Sequence, residues 1–403
     1  MELFWLEHKK LWRKKIVKIC VLLCFVYCVI FGSILSFQWF SFGSSDDYTS
    51  AFGNNFDGYT VIKDSQEYAL SFGGELTDET LQQIVSDYQQ MEADGMEEEL
   101  EKTDWQIVNS WLGTLYPELR DTSNYKTMIS YVDPDKLTGF YERRQQVLDE
   151  FLEISGQVGA EKEFLHQMER KVEKPFHYEW VEGWSTLLGS MVADLGVVMA
   201  LFLGIVLSSL FAGEWHDNTS TLVLTTRNGW GKIALAKILT GFAFTAELFA
   251  LLAVSSIISQ LFFMGTAGWD MPIQNIKLIA VAPMNMLQAE IYEYAFVLLG
   301  AIGFAGIVMF ISAAVKNNVL TLLLSLAVVY GPMMIAEYLP YEMQKALDLI
   351  PLVGSSTDIF RTNTFRILGK LIWSPYLLIT IPVLIGILCM PFAIKSWSRR
   401  MKA

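Results

Sequence analysis

The chain has 403 residues, of which 52% are hydrophobic and 18% charged, and its mean hydropathy is +0.33. Soluble domains carry about a quarter charged residues, so the composition excludes an ordinary soluble protein of this length. The net charge of −13 argues against nucleic acid as a partner, because phosphate binding needs a basic surface. The sequence therefore predicts an integral membrane protein with no nucleic-acid partner.

Residues 1–15 combine tryptophan, phenylalanine and leucine with several lysines and an arginine. This composition is typical of an amphipathic helix in the membrane interface, with its tryptophans toward lipid and its cations toward headgroups and water. A simple cationic flank of the first span is the alternative. We expect an interfacial helix that contacts the lipid membrane.

Six apolar stretches are long enough to cross a bilayer, which needs about 20 apolar residues in a helix. The predicted spans are TM1 (16–42), TM2 (187–212), TM3 (238–264), TM4 (291–315), TM5 (317–338) and TM6 (371–394). The remaining segments are an external domain (43–182), external loops at 265–290 and 339–370, and a tail (395–403). We predict an all-α membrane protein with six transmembrane helices.

The orientation follows from lysine and arginine next to the spans. The polar segments 1–18, 213–237, 316 and 395–403 contain fourteen of these cations and only four acids. Cytoplasmic segments carry the excess of lysine and arginine. We therefore expect both termini in the cytoplasm and residues 43–182 outside.

Residues 43–182 carry 11 Lys and Arg against 30 Asp and Glu, a local charge of −19. Thr77 is expected to cap a helix, and further helical patterns begin at Phe140 and near Ala160. The first helix is predicted to bury Leu81, Ile84, Val85 and Tyr88. With a short strand near residues 59–62, the domain is predicted to be mainly helical with a little sheet.

Small residues repeat every four positions along TM2, at Gly196, Ala200, Gly204 and Ser208. Small side chains at this spacing allow two helices to approach closely. The pattern predicts helix packing, either against a partner subunit or against another span of the same chain.

Two acidic residues lie close to the ends of predicted spans, Asp194 and Glu247. Acids within a membrane are candidate functional sites by default. Their position near the span ends favours an interfacial or hydrogen-bonded structural role over a proton relay.

The sequence contains no GxxxxGK[ST], HExxH or GxSxG motif, so it lacks the signatures of a Walker ATPase, a zinc protease and a serine hydrolase. We predict no catalytic residue, no metal site and no cofactor in this chain.

The segment 213–236 links TM2 to TM3 and is too polar to be buried in lipid. Residues 211–237 read FAGEWHDNTSTLVLTTRNGWGKIALAK. This run resembles the segment between the second and third spans of bacterial type 2 ATP-binding-cassette (ABC) exporter permeases. Residues 140–144, 174–179, 183–184 and 268–274 resemble a subgroup with a large external domain between its first two spans.

The resemblance implies a permease subunit in the bacterial plasma membrane that works with a separate ABC ATPase subunit. ATP and Mg²⁺ would be bound by that partner, and a second permease copy or paralogue would complete the assembly. In the family the segment forms a coupling helix that docks on the ATPase. The coupling residues expected here are Glu214, Trp215, Thr219, Leu222, Arg227 and Lys232.

Two questions stay open from the sequence. A membrane-anchored sensor with an acidic receptor domain is the alternative function, and copurification of an ATPase subunit would separate the two. Cationic antimicrobial peptides are a candidate cargo because the external charge would attract them. The acids could equally serve only to keep an exported domain soluble.

Overall fold

The computed structural model describes residues 2–30, 66, 73–95, 105–124, 126–217, 219, 231–354 and 363–399. The helices before the long apolar region are α1 (Glu2–Arg13), α2 (Lys15–Val29), α3 (Asp78–Ala93), α4 (Trp105–Leu115), α5 (Phe140–Ile154), α6 (Ala160–Glu169) and α7 (Glu182–Thr186). The later helices are α8 (Val192–His216), α9 (Lys232–Met264), α10 (Met286–Ala314), α11 (Asn318–Ile335), α12 (Tyr341–Leu347) and α13 (Ser374–Arg399). The strands are β1 (Gly74–Glu75), β2 (His177–Tyr178), β3 (Thr364–Ile367) and β4 (Lys370–Trp373).

Shorter helical turns join these elements. A π-helical turn, Leu187–Met191, connects α7 to α8. The 3₁₀ turns are Pro117–Leu119, Met128–Ser130, Pro134–Lys136, Ile273–Asn275 and Ala336–Tyr338. Strands β1 and β2 pair antiparallel, and β3 and β4 form a second antiparallel pair. The fold is therefore mainly helical with little sheet.

Five helices in the described part of the chain are long and apolar enough to cross a membrane. They are Asp194–His216, Lys232–Met264, Met286–Ala314, Asn318–Ile335 and Ser374–Ser398. The expected TM1 is described only as far as residue 30, where α2 forms its beginning, and the rest lies outside the described residues. The chain is a multi-pass membrane protein.

Several span boundaries differ from the prediction. Helix α8 continues to His216, α9 begins at Lys232, and α10 begins at Met286. The predicted boundaries exclude the charged residues next to the apolar runs, whereas in the structure Glu214, Lys237 and Glu290 are helical and buried. At 371–373 the prediction was also wrong, because these residues belong to β4 and the last helix begins at Ser374.

Glycines bring α10 and α13 into close contact. A Cβ atom added to Gly306 would lie 2.6 Å from Gly386 Cα, and one added to Gly386 would lie 3.0 Å from Gly303 Cα. Backbones can approach this closely only where side chains are absent. This pair of helices, which the sequence analysis missed, forms the tightest described packing in the apolar region.

The predicted small-residue face of α8 packs within the same chain. A Cβ on Gly204 would meet Leu322 and Leu326 of α11, each at 3.2 Å. Ala200 is fully buried, and the Ser208 carbonyl accepts a hydrogen bond from Ser312 of α10 at 2.7 Å. A Cβ on Gly196 would meet nothing within 4 Å, so the close contact does not extend along the whole face.

The polar residues before α7 form a helical domain with its own core. Thr77 caps α3 through a hydrogen bond from Thr80 N at 3.3 Å, as predicted. The four residues expected on the buried face of α3 are all buried: Leu81, Ile84, Val85 and Tyr88. The strand expected near residues 59–62 lies outside the described residues.

The link between α9 and α10 is part of this domain and not a separate external loop. Leu278 from the link belongs to the buried core that α3 and α4 build. Trp111 Nε1 of α4 also donates to Asn275 O at 3.0 Å. The membrane helices and the domain are thus joined by a segment that the sequence had assigned to a loop.

A buried arginine fixes this joint. Arg144 of α5 is fully buried and donates to Leu278 O at 2.6 Å and Ala280 O at 3.1 Å. Its guanidinium forms a two-armed ion pair with Glu169, which is 2% exposed. Buried charges are tolerated when they are paired and hydrogen-bonded, as this arginine is.

The hairpin β3–β4 makes a second connection to the domain. Thr364 Oγ1 donates to Gln157 Oε1 at 2.9 Å, and Arg366 lies 3.2 Å from Glu161. The predicted loop at 339–370 therefore contains ordered structure, α12 and β3, and it contacts the domain.

Replacing Arg144 with alanine should destabilise the joint strongly, because Glu169 would keep only Lys174 and Leu278 O would lose the arginine as its donor, while Ala280 O would keep Gln274. Breaking a buried ion pair typically costs about 3–5 kcal/mol. Thermal unfolding and limited proteolysis of the full chain would measure this. Arg170→Ala is the control, since Arg170 is exposed and lies 3.6 Å from Glu163, and it should change stability by less than about 1 kcal/mol. Equal stability of the two variants would contradict the assignment.

Candidate functional site

The residues expected to contact an ATPase lie at the ends of α8 and α9. Glu214 and Trp215 belong to the last turn of α8, Thr219 follows this helix, and Lys232 is the first residue of α9. Leu222 and Arg227 lie outside the described residues. The segment predicted as 213–236 is therefore helical at both of its ends.

Glu214 is the centre of a buried ion-pair cluster. Its side chain is 4% exposed, and Oε1 accepts hydrogen bonds from Lys10 Nζ at 2.6 Å and Lys237 Nζ at 2.8 Å. The Thr219 hydroxyl donates to Oε2. Lys237 is 2% exposed and also bonds Glu7 Oε2 at 2.8 Å. These five residues, Glu7, Lys10, Glu214, Thr219 and Lys237, form the Glu214 cluster.

The charges of the Glu214 cluster balance, with two carboxylates and two ammonium groups. Isolated buried charges would be very unfavourable, so this pairing is what permits Glu214 and Lys237 to lie inside the protein. The cluster joins α1, the end of α8 and the start of α9. It therefore fixes three helices to one another at one end of the bundle.

Lys10 of α1 and Lys14, at the junction of α1 and α2, have pKa values shifted in opposite directions. Burial tends to lower the pKa of Lys10, but the hydrogen bond and charge of Glu214 outweigh it and raise the pKa. Burial, together with the positive charges of Lys237 and Lys10, lowers the pKa of Lys14. Lys14 instead donates to Ser209 Oγ of α8 at 3.0 Å. Both lysines therefore attach α1 and its junction with α2 to α8.

Glu214 and Trp215 differ from the expectation that they face a partner protein. Besides the burial of Glu214, the Trp215 ring lies 6.0 Å from the ring of Trp397 in α13. Lys316 Nζ lies 4.4 Å from the centre of the Trp215 ring, a cation–π contact. Both side chains therefore pack inside the chain, because α8 continues past the predicted end of TM2 and turns them toward neighbouring helices.

Helix α1 is attached to α9 by a second set of polar contacts. Trp12 packs against Phe244 at 5.7 Å and donates from Nε1 to Glu247 Oε2 at 3.0 Å. His8 Nε2 lies 3.2 Å from Glu247 Oε1. Glu247 therefore has the hydrogen-bonded structural position that the sequence favoured.

The orientation expected for α1 is only partly correct. Trp5 and Leu6 are 62% and 64% exposed, as a face directed to lipid requires. Trp12, in contrast, packs against α9, and the half-exposed Lys10 reaches across to Glu214 of α8. The error arose because the sequence shows the polarity of α1 but not the acidic residues of α8 and α9 that receive its polar groups.

Sequence reasoning missed most of the Glu214 cluster. In the sequence, Glu7 and Lys10 count only as charges that set the membrane orientation, and Lys237 counts also as the end of the run 211–237 that resembles the permease family. A signal was present, since Glu214 directly follows one apolar run and Lys237 lies within the start of the next. Opposite charges placed in two apolar helices at the same end of a bundle are candidates for mutual pairing.

Two further buried acids in α10 were also missed. Glu290 is 4% exposed and Glu293 is fully buried, near the end of the bundle that carries the domain. One turn from Glu290, the Tyr294 hydroxyl and Ser256 Oγ are 2.8 Å apart. The prediction had placed Glu290 in an external loop, whereas α10 begins at Met286.

The Glu214 cluster has no free reactive group, because its carboxylates and ammonium groups satisfy one another. The cluster holds α1, the end of α8 and the start of α9 together. The structure brings Glu214 and Thr219 into hydrogen-bonding contact but places Trp215 apart, against α13. In comparisons with known proteins, no family model, no curated protein and no solved structure matches the chain.

Lys237→Met should lower the thermal stability of the protein much more than Lys10→Met, because Lys237 is buried and its loss leaves Glu214 with only one cationic partner, the half-exposed Lys10. The expected costs are about 3–5 kcal/mol for Lys237 and about 1 kcal/mol for the half-exposed Lys10. Scanning fluorimetry of the solubilised chain would measure both.

A double variant separates the ion pair from simple packing. Glu214→Gln combined with Lys237→Met removes both charges, so no unpaired carboxylate remains at position 214, and stability should be partly recovered. A double variant as unstable as the sum of the two single variants would show that the charges are not coupled.

Proposed function

We propose that the chain is the permease subunit of an ATP-driven ABC exporter in the bacterial plasma membrane. It works with a separate ATPase subunit, which binds ATP and Mg²⁺, and with a second permease copy or paralogue. Five long apolar helices support a membrane transport role, and the resemblance of residues 211–237 to the permease family supports the ABC class.

The observation that carries this proposal is the position of the Glu214 cluster. The α8–α9 segment, which joins these two helices, begins after His216, two residues beyond Glu214. It ends where α9 begins at Lys232, five residues before Lys237. Any partner that displaces the segment pulls on α8, α9 and α1 together, because buried ion pairs connect them. Such a connection would transmit a movement of the ATPase to the membrane helices.

The docking surface in this proposal excludes the buried side chain of Glu214 and the partly buried ring of Trp215. Among the described residues of 213–236, the exposed polar side chains are His216, Asp217 and Lys232, and Leu222 and Arg227 are further contact candidates by resemblance. Glu214 and Trp215 then act inside the permease, where they transmit the movement. Thr219, which donates to Glu214, belongs with these two, so the six predicted coupling residues are assigned to two different tasks.

The proposed orientation places the Glu214 cluster in the cytoplasm and residues 43–182 outside. Six spans, including TM1, then bring both termini to the cytoplasm. Helix α8 has 25 residues, so its two ends are about 37 Å apart, enough to separate the cluster from the helical domain by a bilayer. The excess of lysine and arginine near the cluster supports this orientation.

Transport in this scheme is a shift between two arrangements of the membrane helices, biased by ATP binding to the partner. The chain itself carries out no covalent chemistry. Peptides, including cationic antimicrobial peptides, are the cargo class that the acidic external domain favours electrostatically.

Purification of the chain from its native membrane under mild detergent should recover an ATPase subunit. The combined change Leu222→Ala and Arg227→Glu should reduce the recovered subunit about thirtyfold, since loss of a buried interface anchor costs about 2 kcal/mol. Quantitative mass spectrometry of the purified complex would measure the ratio of the two chains.

The matched control is Leu368→Ala with Lys370→Glu, which makes the same chemical changes in the exposed turn of β3–β4. This control should leave recovery of the ATPase unchanged. A purified, folded wild-type chain without any ATPase would contradict the proposal and favour the membrane-anchored sensor. Equal recovery with both double variants would contradict the docking assignment.

A further inference from the structure

A cavity of about 360 Å³ lies between the end of the helical domain and the α9–α10 link. Residues 171–177 form one wall and residues from 270 to 288 form the other. Ligand-binding cavities typically enclose about 300–1,000 Å³, so this one is large enough for a short organic ligand. It lies at the end of the bundle opposite the Glu214 cluster.

Four ionisable side chains line the cavity: Lys171, Glu173, His177 and Asp270. All four are exposed, and within the described residues none of their charged groups has an ion pair or a hydrogen bond. The adjacent Lys174, in contrast, bonds Glu169 at 2.9 Å. The charges that face the cavity are therefore free to interact with a ligand.

Side-chain amides add unused hydrogen-bonding groups. Gln274 is fully buried and donates to Ala280 O and Ala282 O, but its Oε1 has no hydrogen-bond partner in the described part of the chain. Asn285 and Gln288 use their oxygens in a helix cap, so their NH₂ groups remain as donors. The Gln274 oxygen is itself buried, so the cavity offers the amide donors of Asn285 and Gln288.

We propose that this cavity binds a peptide segment that carries a lysine or arginine side chain. The carboxylates of Glu173 and Asp270 attract the cationic group, while the amides of Asn285 and Gln288 can bond the carbonyls of a peptide backbone. Pro175, Pro272 and Pro283 stiffen the walls, which limits the entropy lost on binding. The acidic domain around the cavity further favours a cationic ligand.

This binding site does not depend on the proposed ATP-driven transport, because the cavity lies within a single chain. A peptide that is exported and one that is only sensed would bind through the same groups. The experiment therefore uses the purified full-length chain without an ATPase, and the failure of one proposal leaves the other standing.

Fluorescence anisotropy would compare labelled, end-capped pentapeptides of alternating alanine and lysine with peptides of alternating alanine and glutamate. The lysine peptide should bind the solubilised chain, and the combined change Glu173→Gln and Asp270→Asn should weaken this binding about tenfold. The control is Glu142→Gln with Glu150→Gln, two exposed and unpaired acids of α5 away from the cavity, which should change binding less than twofold. Equal losses in the two double variants would show only general attraction to an acidic surface and would overturn the proposal. So would equal binding of the glutamate peptide.

Site-specific protection provides a second readout. The native cysteines at 20, 24 and 28 are buried and Cys389 is half-buried, so a cysteine introduced at an exposed position reacts selectively with a maleimide. Saturating lysine peptide should slow the labelling of Pro283→Cys at least fivefold and leave that of Glu150→Cys unchanged. Unprotected Pro283→Cys would place the peptide elsewhere and overturn the assignment.

Discussion

The buried pair of Glu214 and Lys237 is the constraint on which the arrangement of the helices at one end of the bundle depends. Neither charge could lie inside the protein alone, so each requires the other, and each recruits a residue of α1. Glu214 forms an ion pair with Lys10, and Lys237 forms one with Glu7. The amino-terminal helix is therefore part of the bundle and not only a lipid anchor, and its contacts with Glu247 extend the same attachment along α9.

A buried ion pair also stabilises the opposite end of the bundle. Arg144 pairs with Glu169 inside the helical domain and donates to two carbonyls of the α9–α10 link. The domain is thereby fixed to the membrane helices through the same link that lines the cavity. A change at the cavity and a change at the Glu214 cluster would both act on α9, which begins at one and ends near the other. Helix α9 thus connects the link that lines the cavity to the Glu214 cluster.

Local features were predictable from the sequence, and contacts over long distances in the chain were not. The cap at Thr77 and the buried face of α3 follow from rules that act within one helix. On α5, in contrast, the apolar Phe151 is 38% exposed while the charged Arg144 is fully buried, which a rule based on polarity within one helix does not predict. No local pattern reveals that Arg144 meets Glu169 or that Glu214 meets Lys10, 204 residues away. The sequence motif marked Glu214 and Trp215 as contacts for a partner protein, whereas the structure pairs Glu214 with Lys10 and Lys237 and packs Trp215 against Trp397.

The central claim is that the Glu214 cluster faces the compartment that contains ATP and that the helical domain faces the opposite one. Labelling of single introduced cysteines with a membrane-impermeant maleimide tests it directly. Glu150→Cys, on an exposed position of α5, should react in intact cells. Asp217→Cys, exposed just beyond α8, should react only after the membrane is permeabilised. Labelling of Asp217→Cys in intact cells, with Glu150→Cys protected, would place the cluster outside and contradict the account.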